Sequence, residues 1–345
     1  MSGIKEIAEL AQVSRGTVSL VLNGKGDQYR ISSATQEKIW NTARLLNYQP
    51  NISARRLRSS GESVLPIIAL FWSLDTRAVL INRFLKGLQQ SLRSNGQEYE
   101  VLIQPYVGNQ LHEVRSLLTG TRFNGAIIAN PTEKDERYLK EVNPLVPLVM
   151  YQRESDKYAS VNVDSYASGE QVARLFASRG HRRAGIIIPH VSSRAIHLRR
   201  LGFIDKGREL GLELEPRLQV REDFSEQGGY QAIRRILQER EQWPTAIFAI
   251  SDQMSVGALK ALHEAGICVP DDIELVGHDD DEVTRYTVPS LTTVHLPVEQ
   301  MAEACFGLLT EMMQHRLQEP VSRIFDTHLV FRQSCGPFHN EFRDA

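Results

Sequence analysis

Ser14, Arg15, Gly16, Thr17 and Ser19 lie within one short run, VSRGTVSLVLNG, at residues 13–24. They are small polar groups and one cation, slim enough to enter the major groove of a duplex. They alternate with Val13, Val18, Val21 and Leu22, the spacing of a short helix with one apolar face. Other elements must hold that helix. Ile4, Ile7, Ala8, Leu10 and Ala11 recur at helical spacing just before it. Gln12 and Val13 read as a tight turn. Ser14 can cap the second helix by accepting from an otherwise unpaired backbone N–H, and Asn23-Gly24 reads as its stop. After the polar loop KGDQYR comes a third helix, capped by Ser32 or Ser33, with Ile39, Trp40, Ala43 and Leu46 inward and Pro50 ending it. Two helices joined by a tight turn make a helix-turn-helix, which points to DNA. A small three-helix bundle that binds protein is the plainer alternative.

Charge favours DNA. Residues 1–61 hold nine Lys/Arg against four Asp/Glu, a net +5, while the rest of the chain holds 31 against 38. A basic head on an acidic body fits a polyanion-binding module fused to something else. With 345 residues, two or three domains are expected. No apolar run approaches the ~20 residues that span a bilayer, and the charged start MSGIKEIAELAQ is unlike a secretory signal. A cytoplasmic protein is expected. Cys268, Cys305 and Cys335 are odd in number and widely spaced, suggesting neither disulfides nor zinc.

From residue 64 the pattern changes to short apolar runs alternating with amphipathic helices. The runs include VLPIIALF, YEVLIQ, GAIIAN, PLVMY, SVNVD, AGIIIP, TAIFAI and IELVG. Such alternation implies α/β structure with parallel sheets flanked by helices. About eleven strands exceed one open sheet of usual size, so two similar lobes dividing near residue 162 are expected, with a ligand cleft at the strands' carboxyl ends. The chain lacks G-x-G-x-x-G after a strand, the P-loop pattern, H-E-x-x-H and G-x-S-x-G. That argues against an enzyme and against a cofactor. The acidic run HDDDEVT (278–284) suits helix capping or a ligand better than a metal.

IKEIAELAQVSRGTVSLVLNG, TQEKI, LNYQPN and SARRLRS together resemble the head of the LacI/GalR family of transcription regulators. GHRRAGII, RRLGF, AIFAISDQMSVGALKALHEAGICVPDDIELVGHDD, PSLTTV and LVFRQSC continue the likeness through the body. The resemblance covers about residues 3–336. It implies a homodimeric regulator, a repressor first of all, that binds double-stranded operator DNA. Its body would be periplasmic-binding-protein-like, with a small polar effector between two lobes, a sugar or phosphorylated sugar foremost. A cytosolic sugar-binding or sugar-processing α/β protein is the rival reading. The implied domains are a helix-turn-helix at 1–49, a hinge helix and linker at 50–62, and the body at 63–338. The lobes would be 63–161 plus 292–322, and 162–291 plus 323–338.

The resemblance also assigns residues. Arg15, Gly16 and Leu20 stand where the family reads bases. Arg15 can pair bidentately with guanine, Gly16 allows close approach, and Leu20 replaces a common Arg. Thr17, Asn23, Ser32, Tyr48 and Asn51 stand at phosphate-touching positions. Leu57 stands where the hinge drives a leucine into the minor groove, with Ala54 on the same face. At the effector, Arg199 and Asp279 are the implied polar anchors, and Phe224 and Trp72 are candidate stacking rings. Gln152 stands where a carboxylate is common, and Leu296 where a glutamine is common. Ser251 replaces the family's usual Asn, and Asp252 is expected to cap the next helix. The tail has no leucine heptad, so a dimer is expected rather than a tail-linked tetramer.

Overall fold

A computed structural model describes residues 4–46, 48, 65–73, 80–94, 98–114, 116–119, 122–191, 193–238, 243–317 and 320–336. Near the amino terminus, α1 (Ile4–Ala11), α2 (Arg15–Leu22) and α3 (Ser33–Leu45) form a bundle. Its core is Ile7, Ala8, Ala11, Val18, Val21, Leu22, Ile39 and Ala43, joined by Leu145 from the sheet region. Gln12 takes φ 55, the left-handed conformation that turns the chain sharply between α1 and α2. Ser14 and Ser32 are the N-caps of α2 and α3.

The chain forms two compact units, Met1–Asn162 with Glu299–Arg323, and Val163–Val298 with Ile324–Ala345. In the first, the strands are β1 (Ile67–Ser73), β2 (Glu100–Tyr106), β3 (Gly125–Ala129), β4 (Leu148–Tyr151), β5 (Ala159–Val163) and β11 (Ser322–Phe325). Its helices are α4 (Ile81–Ser94), α5 (Ser116–Thr119), α6 (Glu133–Glu141) and α11 (Val298–Met313). In the second, the strands are β6 (Ala184–Pro189), β7 (Gln219–Glu222), β8 (Ala246–Ala249), β9 (Glu274–Asp279), β10 (Thr292–His295) and β12 (His328–Val330). Its helices are α7 (Ser165–Ser178), α8 (Arg194–Glu209), α9 (Glu226–Ile236) and α10 (Asp252–Glu264).

The sheets run β11-β5-β4-β3-β1-β2 and β12-β10-β9-β8-β6-β7. Both repeat one doubly wound order, which reverses direction between β1 and β3 in one sheet and between β6 and β8 in the other. Ligands bind outside the strands' carboxyl ends at such reversals. The central strands β3, β4 and β6 are buried along their whole length, as the unbroken apolar runs required. Strand β12 pairs antiparallel with β10.

The lobe boundary at 291/292 needs correction. Thr292–His295 pairs in parallel with Val276–Asp279, so this strand belongs to the second unit. The crossing falls at Val298/Glu299 instead. The other crossings fall at Asn162/Val163 and Arg323/Ile324.

Candidate nucleic-acid interface and ligand site

At the start of α2 the Ser14 hydroxyl accepts from the Thr17 N–H at 3.0 Å and lies 2.8 Å from the Thr17 hydroxyl. Ser14, Arg15 and Gly16 are exposed, while Thr17, Ser19 and Leu20 are half-buried. A Cβ at Gly16 would meet only the Ser14 hydroxyl at 3.6 Å, an ordinary contact. Packing therefore does not require glycine there, and the bare backbone is left open to an approaching partner. The positive end of the α2 dipole lies at the same place. Asn23 is the C-cap of α2, and its amide donates to the Ser19 carbonyl at 2.6 Å and the Ser19 hydroxyl at 3.2 Å. Ser32 caps α3 by accepting from the Thr35 N–H at 3.3 Å. Tyr48 is half-buried against the bundle core. Asn51, Ala54 and Leu57, with the rest of the expected hinge at 50–62, lie outside the described residues.

At the carboxyl edge of the second sheet, Arg199 on α8 is fully buried and donates from Nη1 to the Ile250 carbonyl at 3.0 Å. Asp279 ends β9 with φ 121, and its Oδ1 lies 3.0 Å from His278 Nδ1. Next to it, Asp280 is held by His295 at 2.8 Å and by Arg332. Burial would raise the Asp280 carboxyl, but hydrogen bonds from His295 and Arg332 prevail and hold it well below the usual carboxylate range. Phe224, between β7 and α9, is half-buried against the core. The edge thus offers a buried guanidinium, buried carboxylates and a partly open ring.

The helix after β8 departs from expectation. Ser251, not Asp252, is the N-cap of α10, accepting from the Met254 N–H at 3.2 Å. Asp252 is already helical. It accepts instead from the Asp281 N–H at 2.8 Å and the Thr293 hydroxyl at 2.6 Å, which ties α10 to the strand ends. Burial pushes its carboxyl well above the usual range, with Asp279 adding to the effect.

At the carboxyl edge of the first sheet, Trp72 is fully buried, with its ring 5.4 Å from Phe84 and 6.0 Å from Tyr151. Its faces are engaged in packing. Gln152 follows β4, buried, with φ 59. Leu296 is fully buried. Sequence reasoning singled out neither Asn130 nor Asn162, which stand buried on this edge. Their alignment depends on strand register, which has no local signal.

Arg199 is positioned by two glycines. A Cβ on Gly169 of α7 would sit 2.0 Å from the Arg199 carbonyl, and one on Gly202 of α8 would sit 2.0 Å from the Tyr166 carbonyl. Gly202→Ala should force these helices apart, costing about 1–3 kcal/mol. The check is a lowered urea midpoint.

Among the described residues no helix is long and apolar enough to cross a membrane, and no group of three His, Cys, Asp or Glu could hold a metal ion. Cys268 is exposed, and Cys305 and Cys335 are buried, all as free thiols.

Comparison with known proteins gives a consistent picture. The model for bacterial regulatory proteins of the lacI family matches residues 3–51, and a periplasmic binding protein-like domain matches residues 173–335. The HTH-type transcriptional repressor PurR of Klebsiella pneumoniae subsp. pneumoniae is 28% identical over 347 residues, 98% of each chain. The crystal structure of a LacI family transcription regulator from Clostridium acetobutylicum is 34% identical, with TM-score 0.74, over 77% of this chain and 99% of that one. The complex of the transcriptional regulator CelR with cellobiose is 26% identical, with TM-score 0.70, over 97% of this chain and 100% of that one.

Proposed function

The chain belongs to the LacI family of bacterial regulatory proteins, and from that membership we propose a cytoplasmic, homodimeric repressor that binds operator DNA under control of a small polar effector. The observation that carries this reading is the α2 amino terminus, where Ser14 fixes the helix and leaves Arg15 and Gly16 exposed on a basic bundle. In this reading Arg15 reads a base, Leu20 adds apolar contact, and Thr17, Asn23, Ser32, Tyr48 and Asn51 touch phosphates. Such phosphate contacts set register rather than sequence. Leu57, with Ala54, wedges the minor groove, and Arg55, Arg56 and Arg58 add phosphate attraction.

The effector is a sugar or phosphorylated sugar. Arg199 and Asp279 are its anchors on the second unit, with Phe224 and Ser251 beside them. Gln152 is the first unit's own candidate, while the Trp72 ring is packed on Phe84 and Tyr151 and is not offered for stacking. A diol suits a guanidinium and a carboxylate together. The cellobiose bound to the related CelR supports the same class. Domain limits of 1–49, 50–62 and 63–338 fit this division of labour.

Gel retardation with the DNA flanking its own gene, with and without ribose and cellobiose, tests the reading. Retention of that DNA against random competitor at moderate salt supports it. Equal binding to every duplex under all ligand conditions refutes it.

The dimer has its own support. Val283, Tyr286 and Val288 are 46%, 75% and 92% exposed on one short segment of the second unit. Helix-turn-helix proteins read paired half-sites as two-fold dimers, so a second copy is the natural cover for this patch. Tyr286→Asp should give monomers in sedimentation and weaken operator binding by about 100-fold or more through lost avidity. A variant that stays dimeric places the interface elsewhere.

A further inference from the structure

Two of the three crossings between the units lie beside one pair of histidines. His295 ends β10, shortly before the crossing at Val298/Glu299. His328 opens β12, shortly after the crossing at Arg323/Ile324. The two strands run antiparallel over three residue pairs, and His295 opposes His328 in that register. Their rings stack, with centroids 4.8 Å apart and planes tilted by 34°. The histidines therefore close the end of the ladder that is nearest both crossings. Strand β12 is the edge of its sheet, so this short ladder is its only strand pairing there.

The charges around the pair make it sensitive to protons. His295 Nδ1 lies 2.8 Å from Asp280 Oδ2, and Arg332 donates to the other oxygen of the same carboxylate. With His295 protonated, Asp280 already faces two cations, and a proton on His328 adds a third. Burial and then the neighbouring His295 lower the His328 pKa below the usual histidine value, and Asp280 only partly offsets them. A histidine whose folded-state pKa lies below its unfolded value gives stability that is full above the unfolded pKa of 6.5. That stability is lost as pH falls through the folded value. Two unit charges at such a separation repel enough to shift a local opening equilibrium by roughly tenfold or more. Other ionisable groups border the ladder. Asp279 is paired with His295 in the register of β9 and β10, with His278 against its carboxylate, and Asp252 of α10 accepts from the Thr293 hydroxyl. On the side of α7 the groups that bond Thr327, just before β12, are the neutral Ser168 and Gln171.

We propose that His295 and His328 form a proton-operated latch, closed when the rings are neutral and opened in mild acid by their mutual repulsion, which frees two crossings and weakens operator binding. The link to DNA rests on the regulator reading above. The exposed patch at Tyr286 belongs to the second unit and the DNA-reading bundle to the first. The covalent tie between them runs through the crossings, so loosening the crossings loosens the spacing of two bundles on paired half-sites. None of the ten histidines lies in residues 1–61. A histidine-dependent change in operator affinity therefore originates in the body.

The test compares the full-length parent with His328→Phe, which keeps a ring on His295, and His328→Gln, which keeps a polar side chain. His328 is exposed, so neither substitution disturbs the core. Asp252 and the other titrating groups are common to all three proteins and cancel in the comparison. Amide hydrogen exchange, corrected for its intrinsic pH dependence, is followed by mass spectrometry in peptides covering 292–298 and 324–330. Between pH 7.5 and pH 5.0 the parent should lose protection there by about tenfold, and both variants by less than about twofold. Gel retardation with the DNA flanking its own gene should show the parent losing about tenfold in affinity over the same range, with both variants holding theirs. Unchanged protection in the parent overturns the latch, and so does an equal loss in parent and variants. Equal pH dependence of retardation in all three proteins overturns its control of DNA binding. If no duplex is preferred at either pH, the regulator reading fails, and hydrogen exchange still decides the latch.

Discussion

An Arg15→Ala variant is expected to lose most of its preference for the operator while remaining folded. Arg15 is the first residue of α2, exposed and outside the bundle core. The cap that holds the helix is the Ser14 hydroxyl, which the substitution does not touch. A bidentate Arg–guanine pair is worth about 1–3 kcal/mol of discrimination against the wrong base. A dimer carries two such residues, one for each half-site. Losses at separated sites add, so operator affinity should drop by roughly 30-fold or more. Binding to random duplex should fall far less, since there Arg15 supplies only one positive charge per subunit. Operators altered at the contacted base pair should bind the variant and the parent alike. Competition retardation at fixed salt measures all three quantities. Equal losses on operator and competitor would make Arg15 a phosphate contact.

Glu274→Gln should destabilise the second unit severely. Glu274 begins β9 and is buried. Its carboxylate takes Arg179 Nε at 2.7–2.8 Å, His181 Nε2 at 3.0 Å and the Gly336 N–H at 3.3 Å. One carboxylate therefore holds the end of α7 and the last described turn of the chain against the sheet. Burial alone would raise the Glu274 pKa, but hydrogen bonds from His181 and Arg179 outweigh it and lower it to about 2. A folded-state pKa below the unfolded value gives stability that is full above the unfolded pKa near 4.5 and lost as pH falls through about 2. After solvent screening is allowed for, this contribution is about 2 kcal/mol. Removing the carboxylate also leaves the half-buried Arg179 without its partner, so the total loss in Glu274→Gln should reach about 3 kcal/mol. Urea unfolding at pH 7 measures that loss. Titration from pH 5 to pH 2 should show a shallower decline in the variant than in the parent.

The bundle was legible because its signals are local. Ser14 and Ser32 cap the helices they precede, and Asn23-Gly24 stops the second. Central strands such as AGIIIP were legible because burial on both faces leaves no polar positions. Three of the four edge strands were not. QVRE, SRIF and HLV are short and carry exposed residues, so nothing in them separates strand from loop. Thr292–His295 was recognisable as a motif but assigned to the wrong unit, because its partner β9 is a matter of tertiary pairing. Asp252 looked like a cap, since Asp and Ser are both good caps, and only the observed geometry gives that role to Ser251. Gln152 stood out in the sequence, while Asn130 and Asn162 did not. What joins them is a shared register across parallel strands, and that cannot be read along one strand.

The position of β11 and α11 bears on how the protein is made. Both complete the first unit, although they follow the second unit in the chain. The Glu299 carbonyl would lie 2.2 Å from a Cβ on Gly87, and Arg83 pairs with the Glu299 carboxylate at 2.9 Å. On the ribosome, α4 must therefore wait for more than half of the polypeptide to be synthesised before its packing partner emerges. During that interval a nascent chain exposes apolar surface that invites chaperones or aggregation. Stop codons anywhere before Ser322 are accordingly expected to leave neither half able to mature alone.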